Sequence, residues 1–487
     1  MNRFFPAKTF FSSCALLFIL LLLFTRAAAQ PVNLHETYGS AYLLIHKIEI
    51  RGNKLTRPRI ILRELRFQEG DTVQLSELPQ LLKTSRENVF NTGLFNFVTL
   101  DTVRSPVSSQ GIDLTIHVIE RWYIWPWPFF EISDRNFNSW LETTDFSRLT
   151  YGVDVAFFNM RGRNETLKIP IHLGFNQKYG LNYQIPYVNR KQTIGFSFGG
   201  DYERNHEVIV ACSKNKPVYF KDPGLYPREK FYGFLELEIR PSFYAHHSIM
   251  VSWNQYHFSD TLLMVADSML KPFYTYSVNK QQVVSYFSFD YQYKNDRRDV
   301  KFYPLKGFYF DAELVQNGFP GADVNELYVK SNLRKYWQLS KRWYLASGVL
   351  AKVTLSPDPP YFMQRGLGFG REFVRGYEYY VIDGRNFVVA KNNLKFAILP
   401  QRVAMLGFLK SKKFNTVPYA LYMNVLFDAG YVYNSYVQPQ NDLQNSLLVG
   451  YGVGLDFTTY YDIVLRAELT MNGKGEPGIY LHFMAPL

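Results

Sequence analysis

Over most of this chain apolar and polar residues alternate with a period of two, in runs of about ten residues separated by polar turns. The clearest run is Thr166 to Phe175, where Leu167, Ile169, Ile171, Leu173 and Phe175 share one face and Lys168, Pro170, His172 and Gly174 the other. Leu235, Leu237 and Ile239 likewise oppose Glu236, Glu238 and Arg240. Near the end, Leu447, Val449, Tyr451, Val453, Leu455 and Phe457 alternate with Leu448, Gly450, Gly452, Gly454 and Asp456. About ten residues suffice for a tilted strand to cross a bilayer, and a charged inner face would line a wet interior. The pattern predicts strands at 129–137, 147–160, 165–175, 180–188, 192–203, 231–241, 248–259, 282–295, 306–317, 325–339, 343–355, 387–399, 418–433, 447–458, 462–471 and 477–484. A soluble β-sandwich also alternates, but about sixteen such segments, an even number, suit a closed transmembrane β-barrel. The small residues at 450, 452 and 454 would let its interior accept a plug or loop.

The stretch before the barrel, residues 44–121, has mixed periodicity and reads strand, helix, helix, strand, strand. Leu44, Ile48 and Ile50 face inward from the first strand, and Thr56 is placed to cap a helix whose first turn tolerates Pro58. A second helix starts near Ser76, puts Leu78, Leu81, Leu82 and Val89 on one face and stops at Gly93. Strands from Phe95 to Val103 and Ile112 to Glu120 follow, the latter with Ile112, Leu114, Ile116 and Val118 inward. This order resembles a POTRA domain, the periplasmic module of outer-membrane assembly proteins. The aromatic and Pro-rich segment 122–128 reads as the linker between this α+β domain and a barrel at 129–487.

At the N-terminus, Arg3 and Lys8 precede an apolar run from Cys14 to Phe24, then Ala27-Ala28-Ala29. Residues 1–29 therefore read as a signal peptide, too short in their apolar part for a spanning helix, and 30–43 as a lead-in linker. Only Cys212 would remain after cleavage, so no internal disulfide is expected. An aromatic content of 17%, with 41 Phe and 36 Tyr, suits strands and membrane-interface girdles. The net charge of +12 comes from scattered basic residues; it fits attraction to anionic outer-membrane lipids better than nucleic-acid binding. His246 and His247 are adjacent rather than four apart and no Cys-x-x-Cys occurs, so neither a metal site nor a catalytic constellation is expected, and no cofactor. The chain does not read as an enzyme.

With both chain ends on one side of the membrane, short turns such as 161–163 and 189–191 fall on that side, and so does the longer 400–417, whose Lys410, Lys412 and Lys413 read as a solvated turn. The long connections 204–230, 260–281 and 356–386 fall outside. The last carries Gly366, Gly368 and Gly370, then Val374-Arg375-Gly376-Tyr377. Two further segments stand out: Asn295-Asp296-Arg297-Arg298-Asp299 followed by Pro304 and Gly307, and Leu426-Phe427-Asp428-Ala429-Gly430. In order and spacing these three segments resemble the BamA/TamA outer-membrane assembly superfamily, over nearly the whole chain after the signal.

The resemblance implies a single POTRA domain in the periplasm and a 16-stranded barrel in the cell outer membrane. It implies that the loop folds back into the barrel and that Arg375 meets the barrel-wall carboxylate of Asp428. Where the family often carries a second acid, this chain has Lys395, so Asp428 acts alone or another acid such as Asp456 substitutes. The implied function is assembly, insertion or translocation of outer-membrane or secreted proteins, with unfolded clients captured at the POTRA sheet edge and passed through a lateral seam between first and last strands. Accessory lipoproteins are further partners the family would allow. A passive outer-membrane channel, and a dedicated secretion or lipid-handling barrel of the same superfamily, remain alternatives.

Overall fold

The computed structural model describes residues 42–107, 110–132, 148–222, 224–436 and 440–483. The expected signal segment, all but the end of the lead-in at 30–43, residues 133–137 of the first expected barrel strand and the tail 484–487 lie outside these.

The N-terminal unit contains β1 (Tyr42–Arg51), α1 (Pro58–Leu62), β2 (Thr72–Gln74), α2 (Leu78–Phe90), β3 (Phe95–Arg104) and β4 (Gly111–Glu120). Its sheet runs β2-β1-β4-β3, with β1 parallel to β4. Ile112, Leu114, Ile116 and Val118 enter the core beneath α2, whose Val89 is fully buried. Two sequence expectations fail here. A bulge between Ile45 and Lys47 places Ile45 inside and leaves Leu44 outside, because one extra residue exchanges the two faces of a strand. Thr56 does not cap α1: Arg57 is the N-cap residue, with no side-chain bond, and the Thr56 hydroxyl donates to Glu120 Oε1 at 2.7 Å.

Sixteen antiparallel strands form the second unit: β5 (Ile124–Ile132), β6 (Leu149–Met160), β7 (Glu165–Gly174), β8 (Gln177–Ile185), β9 (Ile194–Asn205), then, beyond a separate hairpin of β10 (Glu207–Ser213) and β11 (Lys216–Lys221), β12 (Arg228–Ile239) and β13 (Ala245–Phe258). After α3 (Asp260–Leu270) come β14 (Val283–Asp296), β15 (Gly307–Gly318), β16 (Asn325–Gln338), β17 (Trp343–Thr354) and β18 (Asn386–Met405). The short α4 (Lys412–Asn415) precedes β19 (Thr416–Tyr433), β20 (Leu447–Thr458), β21 (Val464–Asn472) and β22 (Pro477–His482). Each expected barrel segment overlaps one strand, most to within a few residues at the ends, but the first, expected at 129–137, meets a strand that already begins at Ile124.

The segment 122–128 is not a linker. β5 begins at Ile124 and pairs with β6 in an unbroken register from Ile124↔Phe157 to Ile132↔Leu149, through both Pro126 and Pro128. A proline lacks the donor a ladder needs, so it is tolerated where its nitrogen faces the unpaired edge. Two residues apart, Pro126 and Pro128 share one parity, and both missing donors fall on the free edge of β5.

The apolar faces point outward. Leu235, Val453 and Leu469 are about half exposed, whereas Asn393, Lys395, Asp428, Asp456 and Arg466 inside are essentially inaccessible. This inversion of the usual burial is that of a barrel whose outer band meets lipid. The sheet curls until Trp125 on β5 lies 4.8 Å from the ring of Tyr461, in the turn before β21. Among the described residues β5 and β22 nevertheless share no ladder.

At the end away from the N-terminal unit, the β10–β11 hairpin and α3 fold over the mouth, in segments the sequence pattern leaves as plain connections. Ser259 caps α3 by accepting from Leu262 N–H at 3.2 Å, and Val210, Leu262, Ala266, Tyr276 and Tyr361 build a local apolar core. At the opposite end the N-terminal unit reaches around the barrel rim. It touches the β6–β7 turn through Asn159 Nδ2 to Thr56 Oγ1 (2.8 Å), and β8–β9 through Arg63 Nε to Gln192 O (2.8 Å). Arg240 bridges from β12–β13 to Glu64, Asn91 Nδ2 donates to Asp299 O in β14–β15, and Arg121 pairs with Asp462 in β20–β21. Lys413, expected merely in a solvated turn, donates to Arg121 O at 3.2 Å.

Ile116 sits at the centre of the N-terminal core with no exposed surface. Ile116→Ala should cost that unit about 2–5 kcal/mol, read as faster hydrogen exchange of the β4 amides in the full-length protein. Unchanged exchange would show that this cluster does not hold the unit together.

Candidate functional site: an interior loop pinned to the barrel wall

The connection from β17 to β18 leaves the far rim and turns back into the lumen. Its local shape follows from glycines at two points. Gly368 and Gly376 have φ of +87° and +91°, left-handed values that side-chain-bearing residues avoid. Gly366 has no such angle but lies where a Cβ would strike Ile382 O, across the Leu367–Ile382 bridge. Gly370 is exposed and shows neither constraint, so the sharp turning expected of all three glycines rests on Gly366 and Gly368.

At the tip of the loop Val374 and Arg375 are buried against β19 and β20, and small wall residues make room for them. A Cβ on Gly450 would overlap Arg375 O, and one on Gly430 would overlap Val374 Cγ2. Arg375 donates through Nε to Asp428 Oδ2 at 2.8 Å and through Nη2 to Asp428 Oδ1, a two-pronged pairing that matches guanidinium to carboxylate. Its backbone N–H also donates to Asp428 Oδ2 at 3.2 Å, and Nη1 donates to Asn393 Oδ1 at 2.6 Å. Tyr377 OH accepts from Gly473 N–H, and Asn472 Nδ2 donates to Gly376 O, both at 3.1 Å.

The second acid near Arg375 is Glu468 of β21, with Oε1 3.5 Å from Nη1. Asp456, the substitute suggested by the sequence, is instead engaged by Arg466 and accepts from Tyr303 OH at 2.7 Å. Lys395 takes no part in anchoring the loop: its ammonium lies 4.2 Å over the Tyr303 ring and makes no hydrogen bond. Asn393, Arg466 and Glu468 are members of this network that sequence reasoning missed. The available signal was the alternation Arg466, Glu468, Thr470 along the inner face of β21.

The 296–307 segment forms a separate structure at the domain end. Arg298 forks onto Asp296 at 2.8 and 2.7 Å and lies 4.6 Å over the Tyr309 ring. Asp299 Oδ1 accepts from Val300 N–H at 2.9 Å and Leu305 N–H at 3.1 Å, closing the turn around the buried Pro304. Burial pushes the Asp299 carboxyl above its ordinary range against the pull of these amides. Gly307, at φ +103°, is packed where a Cβ would meet Arg297 O. This turn is where Asn91 of the N-terminal unit docks, so it joins the two units, and its Tyr303 also reaches the loop network through Asp456.

Between the units lies a cavity of ≈ 620 Å³, walled by Glu64, Arg121 and Tyr123 below and by Glu236, Glu238, Lys294 and Arg298 above.

Two family models match the chain: the POTRA domain, surface antigen variable number repeat, over residues 43–121, and the Omp85 superfamily domain over residues 159–460. No curated protein sequence matches. Among solved structures, BamA from Haemophilus ducreyi lacking POTRA domains 1-3 superimposes with a TM-score of 0.50 at 15% identity, over 91% of this chain and 83% of that one. CdiB from Escherichia coli gives 0.49 at 12% identity over 91% and 74%, and CdiB from Acinetobacter baumannii 0.46 at 14% over 91% and 73%. At such identities the BamA likeness speaks to the fold.

Arg375→Ala should destabilise the barrel by about 3–5 kcal/mol, since it strands a buried carboxylate. Asp428→Asn should cost less than this, and the double variant less than the sum of the two. The measurement is the urea midpoint of the compact, heat-modifiable form on gels, and unchanged midpoints would show that the pair does not hold the loop.

Proposed function

Because the chain belongs to the Omp85 superfamily, with one POTRA domain and one 16-stranded barrel, we propose that it inserts or translocates client proteins at the outer membrane, with the POTRA domain in the periplasm. Unfolded outer-membrane or secreted chains are the clients, and outer-membrane lipids surround the apolar band. The observation that carries this reading is the edge between β5 and β22. Both strands are present, yet they share no ladder among the described residues, and Pro126 and Pro128 remove two donors from the edge of β5. Ile479, Leu481 and Phe130 stand exposed beside it. A strand edge left open in a bilayer is a site for pairing with an incoming strand.

Client delivery fits the POTRA sheet. Its β3 forms the outer edge, and Asp101 to Arg104 are exposed, so an extended client can add to the sheet through main-chain hydrogen bonds. A passive channel fits less well. The lumen is crossed by the loop at Arg375, one mouth is covered by α3 and the β10–β11 hairpin, and the other by the POTRA domain. For a client to enter from the periplasm, Glu64–Arg240 and Arg121–Asp462 must part; Arg121–Asp462 is partly reached by solvent, where separation is cheaper than in the sealed lumen, whereas Glu64 is buried and grips Arg240 through a two-pronged bridge.

Depletion followed by a survey of the outer-membrane proteome tests the reading: broad loss of barrels supports general assembly and loss of one product a dedicated route, while no loss of any protein overturns it. The seam is tested separately. Cysteine pairs joining Pro128, Phe130 or Ile132 to Ile479 or Leu481 sample the possible registers, since β5 and β22 run in opposite directions and Phe130, Ile479 and Leu481 are exposed. Oxidised pairs should abolish client insertion, and reduction should restore it. Full activity with the seam covalently locked would sink the lateral route.

A further inference from the structure

Beside the Arg375 network three ligand atoms from distant parts of the chain converge, none of them in a hydrogen bond, with Glu468 and His482 at ion-pair distance. Glu468 is almost completely buried; its Oε1 faces Arg375 and Arg466 at 3.5 and 3.4 Å, and its Oε2 points the other way with no hydrogen bond. Glu378, two residues past the loop tip, accepts from Gly376 N–H through Oε2 at 2.8 Å and leaves Oε1 unpartnered in a buried position. His482, on the last strand, has Nε2 3.3 Å from Glu468 Oε2 without hydrogen-bond geometry. All three atoms lie within 4.8 Å of one another.

A buried carboxylate oxygen without a donor is costly, and two of them turned toward one imidazole nitrogen demand a shared positive charge. The nearby guanidinium groups do not supply it. Arg375 is committed to Asp428 and Arg466 to Asp456, and both approach only the opposite oxygen of Glu468.

We propose that Glu378, Glu468 and His482 bind one divalent transition-metal ion, with zinc the best match, and that the ion ties the last barrel strand to the interior loop. One imidazole and two carboxylates form a borderline donor set that suits zinc better than magnesium or calcium, and three protein ligands leave a fourth position for water. Zinc bonds of about 2 Å set tetrahedral ligand atoms roughly 3.4 Å apart, so the cluster reaches that geometry by side-chain rotation. The consequence lies at the open edge: β22 would be held through His482 to β21 and to the loop, leaving β5 the freer side of the seam. Sequence spacing could not reveal this site, because its ligands sit at positions 378, 468 and 482 on three different elements.

The test uses tag-free full-length protein in detergent, stripped with a chelator and titrated with Co²⁺ as a visible-absorption probe, then with Zn²⁺ as competitor; metal per chain is measured by mass spectrometry. One saturable equivalent is expected, with Co²⁺ absorption bands abolished by Zn²⁺, and His482→Ala and Glu378→Gln should each weaken binding by at least about tenfold. The wild-type titration stands without any variant: absence of saturable binding to the compact folded barrel overturns the site. Equal affinity in wild type and in both folded variants overturns the ligand assignment.

Discussion

A guanidinium sealed inside a barrel can stay there only if its charge is met in the same place. Arg375 has no exposed surface, nor has Asp428, and the whole loop end is arranged around that pairing. Apolar packing could not do the job alone, because the inner faces of β18 to β21 present Asn393, Lys395, Asn424, Asp456, Arg466 and Glu468. An apolar plug would leave these groups dry and unpaired. A charged plug completes Asn393 and Asp428, at a desolvation cost that is offset only when the fork geometry is good and the remaining donors are used. Asn393 and the Arg375 backbone amide supply that completion, and Gly430 and Gly450 give the depth without which the loop could not lie close enough to the wall. The network continues along β20 and β21 through Arg466, Asp456 and Tyr303, so the 296–307 turn and the loop are held by one connected set of charges.

The strands were legible in the sequence because their pattern answers to a single physical demand. Each residue faces either lipid or lumen, and a period of two records that choice directly, as at Leu167 to Phe175 or Leu447 to Phe457. The Arg375–Asp428 contact was also within reach, although it came from resemblance rather than periodicity. What the pattern hid were departures from alternation. The bulge after Ile45 exchanges faces without any warning in composition. The prolines of β5 look like a linker because they forbid an interior strand, and only an edge position permits them. The cap helix and hairpin at the far mouth pack on each other rather than on the membrane, so their apolar residues follow no membrane period. Glu468 was hidden for another reason. It is one acid among many on lumen faces, and its importance lies in which oxygen faces the arginines and which does not.

These features divide the barrel into two mechanical regions. From β18 to β21 the wall is braced from within by ion pairs, hydrogen bonds and the seated loop. Between β22 and β5 no ladder appears among the described residues: β22 has six residues and β5 carries two prolines on its free edge. Among the described residues, separating β5 from β22 therefore breaks no ladder, whereas separating any neighbouring pair elsewhere in the barrel sheet does. The same contrast holds between the mouths. The far cap closes over an apolar core and is costly to dismantle, while the POTRA domain meets the rim chiefly through polar groups such as Arg63, Asn91 and Arg121, which water can satisfy once they separate. Under the proposed function, a chain arriving from the POTRA side meets the releasable mouth first and the unpaired edge next.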